Sequence, residues 1–348
     1  MYRLLLTVLW LGLSSSLVAQ TSHREDKSYT LALTGDIMMG TTFPKMQLPP
    51  FEGRQLFVHA APILKKADFA AGNLEGPLCD EGETDKKPSK STYAFRTPTC
   101  FAPRLREAGF DFLSLANNHA MDFGIDGAKS TMQQLRQQRI SFSGIKGYAS
   151  YAIVERNGVK FGVCAFGHNG YTYRHQEIRQ VREIITQLCS LSQVVVVTFH
   201  GGAEGKDARH LPYGTETFYE EDRGSLREFA HFCIDAGADV VFGHGPHVAR
   251  AVEVYKHHFI AYSLGNFCTP YGISLSGISG YAPLLELKVS RDGRFLGGKI
   301  HSFIQRWGVG PRLDSKHHVA AEIAQLTRED ITQPHVMVKP DGTLVPTD

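Results

Sequence analysis

Short apolar runs alternate with longer amphipathic segments along this chain. Residues 194–197 form an unbroken run of valines, the pattern of a strand buried on both faces. Other apolar runs, at 29–33 and 112–115, precede segments with helical periodicity, such as 127–138 and 225–236. This alternation predicts an α/β fold with strands in the interior of a layered structure.

Hairpins are predicted where two apolar runs flank a turn. Asn157-Gly158 lies between the runs 151–156 and 159–165, and it is the strongest short hairpin signal. Similar pairs of runs occur at 252–255 with 259–262 and at 281–289 with 294–301. The chain from about residue 330 onward is polar, and we expect it to form a tail.

Six of the predicted strands end in a glycine next to an Asp, Glu, Asn or His. In open α/β sheets the carboxyl ends of the strands are where ligands bind. We therefore expect these side chains to converge on one cleft, whereas His168, which follows a hairpin strand, should lie near its rim. The converging residues are Asp36, Glu75, Asn118, His119, His200, His244 and His247.

Carboxylate, amide and imidazole groups without sulfur suit a divalent metal such as Mn, Zn, Fe or Mg. The same histidines and glutamate could instead form a general acid–base site without metal. Helix capping by polar residues explains two or three members of the set. The recurrence of the pattern at six strand ends favours a ligand-binding function over capping alone.

Size and charge narrow the function classes. At 348 residues the chain forms one large domain or two, and 42% hydrophobic with 21% charged residues is ordinary globular composition. The net charge is only +2 and no basic stripe occurs, so nucleic acid is not predicted as a partner.

The first 19 residues have the pattern of a secretory signal peptide. Arg3 precedes the apolar run 4–13, and small residues then lead to a cleavage position after Ala19. The run is shorter than the roughly 20 residues of a membrane span, although an uncleaved anchor remains the alternative. We expect an exported protein, located in the periplasm, on the cell surface or outside the cell.

Six cysteines occur, without a C-x-x-C motif. Cys79 and Cys100 flank a polar segment, and a disulfide between them is predicted because an oxidising compartment favours such bonds. The other four cysteines are expected to be buried free thiols, and the sequence does not determine whether any of them pair: Cys164, Cys189, Cys233 and Cys268.

Six short motifs occur in a fixed order and together resemble the bacterial capsule-synthesis CapA family, which is associated with poly-γ-glutamate. The resemblance runs from about Thr30 to Phe267 and on to about His301. It implies a CapA-type domain over 28–310 with a C-terminal extension over 311–348. The motifs are G-D-I-M-M-G at 35–40, N-L-E at 73–75, A-N-N-H at 116–119 with Asp122 and Gly124, H-G-G at 200–202 with Glu204, G-H-G-P-H-V at 243–248 and Y-S-L-G-N-F at 262–267.

The CapA family in turn resembles the calcineurin-like metallophosphoesterases, which implies a four-layer α/β/β/α sandwich and one or two divalent metal ions. His119 would then protonate a leaving oxygen. We expect the substrate to contact Asn117, Glu204, Asn266 and Arg96, although an ordinary surface role is the alternative for Arg96. The metal ligands implied by the resemblance are Asp36, Glu75, Asn118, His200, His244 and His247.

Three departures from the phosphoesterase pattern bear on the number of metals. Met38 stands where a histidine is usual, Glu75 replaces an aspartate, and the motif at 243–247 is one residue longer. The same motifs therefore fit one metal, or none, as well as two.

Two functions follow from the resemblance. The first is metal-assisted hydrolysis or transfer on a phosphoester or on an amide of an anionic polymer. The second is a non-catalytic accessory protein that binds or guides such a polymer, beside polymer-synthesis machinery at the membrane.

Overall fold

A computed structural model describes residues 28–86 and 93–347 of the chain. The predicted signal peptide, residues 1–19, lies outside the described residues. Two β-sheets pack face to face, and helices cover their outer faces. The predicted four-layer α/β/β/α sandwich is therefore confirmed.

The strands differ in length, from three residues to twelve. Their bounds are β1 (Ser28–Ile37), β2 (Phe69–Leu74), β3 (Phe112–Ser114), β4 (Ser141–Ser143), β5 (Tyr151–Arg156), β6 (Val159–Phe166), β7 (Val194–His200), β8 (Glu216–Phe218), β9 (Glu221–Gly224), β10 (Val240–His244), β11 (Val252–Tyr255), β12 (His258–Ala261), β13 (Asn266–Cys268), β14 (Tyr281–Ser290), β15 (Phe295–Arg306), β16 (Gly310–Leu313), β17 (Val336–Val338) and β18 (Thr343–Pro346).

The first sheet has the order β17-β18-β15-β14-β1-β2-β3-β4, with β13 beside the end of β1 and β16 beside β15. The second sheet has the order β11-β12-β10-β7-β6-β5, and β8 and β9 form a separate hairpin. Strands β1 to β4 run parallel, as do β6, β7, β10 and β12. The three hairpins predicted from the sequence are all present.

Alternation along the strands separates the core into layers. Leu31 and Leu33 of β1 face the second sheet, whereas Ala32 between them faces the helices. Val194 and Val196 of β7 likewise face the first sheet, and the intervening valines face the opposite helix layer. Because successive strand residues point to opposite faces and both faces are covered, the valine run is apolar throughout.

The helices lie outside the sheets. The first three pack on the first sheet, α4 and α5 on the second, and α6 closes one side of the sandwich. Within the described ranges, no helix combines the length and apolar character that a membrane span requires. The helices are α1 (Ala61–Lys66), α2 (Ala102–Ala108), α3 (Gly124–Gln137), α4 (Ile178–Leu191), α5 (Leu226–Asp235) and α6 (His318–Asp330).

The expected polar tail is wrong. Beyond residue 330 the chain forms β17 and β18. These two strands pair with each other, and β18 pairs with β15, so they extend the first sheet. Val336 and Leu344 are buried in the core between the sheets. The segment 311–348, set apart in the sequence as an extension, therefore continues the same sandwich as far as it is described.

The predicted disulfide is also wrong, because both thiols are free. Cys79 is buried with Ala94 and Phe123, and burial raises the pKa of its thiol to about 11. Cys100 lies in the 3-10 turn Thr99–Phe101 and is exposed. One thiol thus faces a small apolar cluster while the other faces solvent.

Candidate functional site

Strand register brings the polar strand ends together at one edge of the sandwich. Asp36 on β1 lies beside Asn73 on β2 and beside Asn266 on β13. In the second sheet, His244 at the end of β10 is the register partner of His200 at the end of β7. Because parallel strands end at the same edge, residues far apart in the sequence become neighbours.

Asp36 is fully buried and contacts two imidazoles. Its Oδ2 lies 2.9 Å from Nδ1 of His247, and its Oδ1 lies 3.3 Å from Nδ1 of His244. Burial raises the pKa of Asp36, but the two neighbouring histidines outweigh burial and hold it well below its usual range. For His247, burial lowers the pKa and the Asp36 contact raises it, with a net rise to about 10.

Glu75, just after β2, supplies a second buried carboxylate. Its Oε1 lies 3.4 Å from Nε2 of His200 and 4.0 Å from Nε2 of His119. Burial raises the pKa of Glu75, yet the neighbouring imidazoles lower it to about 2 despite the like charge of Asp36. The site therefore holds two anionic carboxylates facing four histidines.

The amide of Asn73 links the two carboxylates. Its Nδ2 donates to Asp36 Oδ1 at 2.8 Å and to Glu75 Oε2 at 2.5 Å. Its Oδ1 accepts a hydrogen bond from Asn117 Nδ2 at 2.9 Å. An amide that donates two hydrogen bonds can hold two like charges close together. The sequence pattern alone does not indicate a role for Asn73, although this residue lies within the N-L-E motif.

His119 is oriented by a carboxylate from its own loop. Its Nδ1 lies 2.8 Å from Oδ2 of Asp122, which leaves Nε2 facing the cleft. Asp122 also accepts the Phe95 N–H at 2.7 Å and pairs with Lys86, whose Nζ donates to the Asn118 carbonyl at 3.1 Å. The spacing of three residues between His119 and Asp122 was visible in the motif.

His168 does not lie at the rim, contrary to the expectation from its hairpin strand. It is buried, and its ring stacks against that of His200 with centroids 5.8 Å apart. Burial lowers the pKa of His168 to about 2, and the adjacent His200 and Arg223 add to this shift through their positive charge. The parallel pairing of β6 with β7 carries this histidine inward beside His200.

Glu204 covers the histidines from the loop that follows β7. Its Oε1 accepts a hydrogen bond from Arg223 at 3.0 Å and lies 3.5 Å from Asn118 Nδ2. Its Oε2 lies 4.0 Å from Nε2 of His247. Glu204 thus faces the cleft, in agreement with the expectation that this residue could contact a substrate.

A buried ion pair fixes the loop that carries Glu204. Arg250 donates to both carboxylate oxygens of Glu216, at 2.8 and 2.7 Å, and to the Ala208 carbonyl at 2.8 Å. Glu216 in turn accepts the Ala203 N–H at 3.0 Å. The loop 201–208 is therefore held by Arg250 directly at Ala208 and through Glu216 at Ala203. Arg250 follows His247 by three positions.

A glycine contact joins the two histidine loops. Gly245 has φ +119°, and a Cβ on it would lie 2.3 Å from the Gly201 carbonyl oxygen. Only a residue without a side chain fits at that distance and in that conformation. This close backbone approach sets the loop of His244 and His247 against the end of β7.

The other predicted substrate contacts are mainly engaged with protein. Asn117 is buried and donates to Asn73 and to the Leu74 carbonyl, and Asn266 is buried and donates to the His247 carbonyl. Arg96 donates to Thr42 and to the Gly82 carbonyl and lies over two aromatic rings. These contacts give each of the three a structural role.

An open cleft of about 280 Å³ leads to the buried cluster. His119, His247 and Glu204 form its polar floor, while Phe95 and Phe218 form apolar walls. The ring of Phe95 lies 4.5 Å from that of His119, centroid to centroid. A ligand in this cleft would therefore reach His119 with part of its surface against aromatic side chains.

Several buried oxygen and nitrogen atoms in the cluster have no hydrogen-bond partner among the described residues. They are Glu75 Oε1, Asn118 Oδ1 and both ring nitrogens of His200 and of His244. Buried polar atoms are normally satisfied, so such a group of neighbours needs a ligand to explain it. The carboxylates and imidazoles also contact one another directly, and within residues 28–86 and 93–347 no three acidic, histidine or cysteine side chains form a ready metal-holding group.

Comparisons with known proteins confirm the resemblance to the CapA family. A family model described as "Bacterial capsule synthesis protein PGA_cap" matches residues 30–271. "Capsule biosynthesis protein CapA" of Bacillus anthracis is 28% identical over 274 residues, which cover 73% of this chain and 63% of that protein. "PGA biosynthesis protein CapA" of Bacillus subtilis (strain 168) is 29% identical over 310 residues, covering 84% of this chain and 76% of that protein.

The chain thus spans less than two thirds of the Bacillus anthracis relative. Among solved structures, a hypothetical protein from Thermus thermophilus superposes with a TM-score of 0.49 at 16% identity. That match covers 79% of this chain and 99% of the other.

Proposed function

Because the chain belongs to the bacterial capsule synthesis protein PGA_cap family, we propose that it acts in the synthesis of an anionic surface polymer. In this proposal it is an exported, metal-dependent hydrolase that cleaves a phosphoester. The supporting observation is the group of unpartnered, buried oxygen and nitrogen atoms at the strand ends. Export is supported by the hydrophobic pattern of residues 4–13.

The donor set fits a divalent metal. Asp36, Glu75, Asn118, His200, His244 and His247 would hold it, since these side chains supply oxygen and imidazole nitrogen without sulfur. A bound divalent metal would lower the pKa of a coordinated water toward neutrality and polarise the phosphoryl group. Asn73 keeps the two carboxylates side by side, and this arrangement concentrates the negative charge that a cation requires.

His119 is assigned as the general acid. Its Nδ1 is fixed by Asp122, so its Nε2 is directed to the cleft beside Glu75. When the bond between phosphorus and the leaving oxygen breaks, the protonated Nε2 would give its proton to that oxygen, and a water oxygen would take the oxygen's place on phosphorus. An acid in this position accelerates such reactions by about 10²–10⁴-fold.

Asp122 and Lys86 act as positioning residues in this scheme. Asp122 accepts from the Phe95 N–H as well as contacting His119, so its carboxylate has little freedom to rotate. Lys86 pairs with the other oxygen of Asp122 and donates to the Asn118 carbonyl. Together they fix the ring plane of His119 relative to the proposed metal ligand Asn118.

A hydrolysis assay with a matched histidine control tests the assignment. The wild type and a His119→Asn variant would be assayed with an alkyl phosphoester such as glycerol phosphate, whose alkoxide leaves only when it is protonated, and the metal content of both would be measured. We expect His119→Asn to lower turnover by at least about 10²-fold while metal content is retained. His318→Asn alters a half-exposed histidine on α6 and should leave both quantities unchanged. Equal turnover in the wild type and His119→Asn would contradict the assignment.

A second candidate function is favoured by the direct pairing of Asp36 with His244 and His247. These contacts satisfy part of the buried charge within the protein itself. A non-catalytic accessory protein that binds or guides an anionic polymer would need no more than this structural cluster. Such a protein would show no turnover with any phosphoester and no dependence of its structure on metal.

A further inference from the structure

A second concave surface lies at the edge of the sandwich opposite the cleft. Asp111 precedes β3 and Ser141 begins β4, so this surface is at the amino ends of the strands whose carboxyl ends carry the cleft. Asn117 follows Asp111 by six positions, which corresponds to roughly 15–20 Å of extended chain. We call this surface the basic groove; it has a volume of about 490 Å³ and is lined by Lys65, Arg106, Gly109, Asp111, Arg139, Ser141 and residues 153–156.

Four cationic side chains border the basic groove: Lys65, Arg106, Arg139 and Arg156. Two carboxylates, Asp111 and Glu155, oppose them, so the groove has an excess of two positive charges. The cations come from the ends of three different helices and from β5. Their convergence is therefore a product of the fold and does not follow from a basic run in the sequence.

Asp111 is already occupied within the protein. Its Oδ2 accepts the Ala70 N–H at 3.0 Å and lies 2.7 Å from Nη1 of Arg156, while Arg106 stands 4.0 Å from its other oxygen. Arg156 also donates to the Lys65 carbonyl at 2.8 Å. Asp111 and Arg156 thus neutralise each other and form a fixed wall of the groove.

The other cations keep their charge for a ligand. Among the described residues, Lys65 and Arg139 have no carboxylate partner within ion-pair distance, and Arg106 is half exposed. The carboxyl ends of the neighbouring helices already have hydrogen-bond partners within the protein. Gly109 caps α2 with its N–H, Gln138 caps α3, and Arg156 donates to the Lys65 carbonyl of α1. The negative ends of the helices therefore cancel only part of the positive charge.

We propose that the basic groove binds a linear polycarboxylate, with Arg106 and Arg139 contacting successive carboxylates of the chain and Lys65 adding a third positive charge. The planar guanidinium forks of the two arginines match carboxylates in a bidentate manner. Arg139 has φ +55°, a left-handed conformation that directs the chain sharply between α3 and β4 at this point. The groove would hold the polymer without contact to the catalytic cleft.

The identity of this ligand rests on the proposed function in the synthesis of an anionic polymer. The existence of the site rests on the cations that line the basic groove. A polymer with one carboxylate in every repeat can satisfy several cations at once, which a single small anion cannot. Holding the product or substrate chain at a second surface would raise its effective concentration at the protein.

Binding of fluorescently labelled poly-γ-glutamate to the full chain, measured by anisotropy at low ionic strength, tests the proposal. The test variant is Arg106→Glu/Arg139→Glu, and the matched control is Arg179→Glu/Arg328→Glu, which reverses the same number of exposed charges on α4 and α6. We expect the test variant to bind at least about tenfold more weakly than the wild type, and the control to bind within about twofold of it. Wild-type binding should also weaken as salt is added, because exposed charges are screened.

Equal losses in the test and control variants would overturn the proposal, as would a wild type that does not bind the polymer at low salt. If the double reversal disturbs folding, Arg139→Gln provides the same comparison with one neutral replacement at an exposed position. Metal content and phosphoester hydrolysis should be unchanged in all of these variants. The polymer-binding proposal and the proposed hydrolase function can therefore be refuted independently of each other.

Discussion

Breaking the buried ion pair between Arg250 and Glu216 should destabilise both the fold and the loop over the cleft. We consider Arg250→Met, which keeps much of the side-chain volume but removes the charge and its three hydrogen bonds. Arg250 is fully buried, and Glu216 is nearly so. The substitution therefore leaves a buried carboxylate without its cation and the Ala208 carbonyl without its donor.

The size of the effect follows from these contacts. Removing one partner of a buried ion pair costs about 3–5 kcal/mol, because the remaining charge stays desolvated. Glu216→Gln should cost a similar amount by leaving Arg250 unpaired. The double variant Arg250→Met/Glu216→Gln removes both charges, and its amide can still accept the Ala203 N–H, so it should lose less stability than either single variant.

Free energies of unfolding from urea titrations of the four proteins give this double-mutant cycle. Arg294→Met is the control, since the Arg294–Asp292 pair is exposed and should contribute less than about 1 kcal/mol. Hydrogen exchange should also become faster at the Ala203 and Ala208 amides in Arg250→Met. Additive losses in the cycle, or a loss below about 1 kcal/mol for Arg250→Met, would refute the reasoning.

Three further predictions concern single sites. Gly245→Ala should cost more than about 2 kcal/mol of unfolding free energy, since its Cβ would meet the Gly201 carbonyl; a thermal midpoint equal to that of wild type would contradict this. Burial raises the pKa of Asp239 to about 7, so the folded state keeps a proton that the unfolded state has lost, and the contribution of this group to stability should fall as pH rises from about 4 to about 7. Asp239→Asn should therefore gain about 4 kcal/mol relative to wild type across that range, and a constant difference with pH would argue against it. In the native protein a thiol reagent should modify the exposed Cys100 and Cys189 and reach the four buried cysteines only on unfolding; a non-reducing peptide map that joins any two of them would disagree with the structure.

The strand ends were predictable because their physics is local. A glycine beside Asp36 or His200 after an apolar run marks the end of a buried strand, and parallel strands bring such ends to one edge. The sequence motif at 116–119 also placed His119 correctly in the loop after β3. These inferences required no knowledge of which strands are neighbours.

The errors came from contacts between distant segments. His168 lies against His200 because β6 pairs in parallel with β7, and the hairpin with β5 does not determine this contact. The polar pattern after residue 330 concealed two strands, of which β18 pairs with β15 and β17 pairs with β18. Cys79 and Cys100 flank one loop, but the Cys79 side chain packs in the cluster around Phe123 whereas Cys100 is exposed. Strand pairing and side-chain direction of this kind are set by the tertiary fold.

Elemental analysis of protein purified without chelator is the most direct test of the proposed metal site at the strand ends. Asp36→Ala and His119→Ala would be purified in parallel. We expect about one or two equivalents of a divalent metal in the wild type. The metal should be nearly absent in Asp36→Ala, which lacks a proposed ligand. It should be retained in His119→Ala, because His119 is proposed to act as an acid and not as a metal ligand. Wild type without stoichiometric metal, or with the same metal content as Asp36→Ala, would contradict a metal-dependent site at the strand ends.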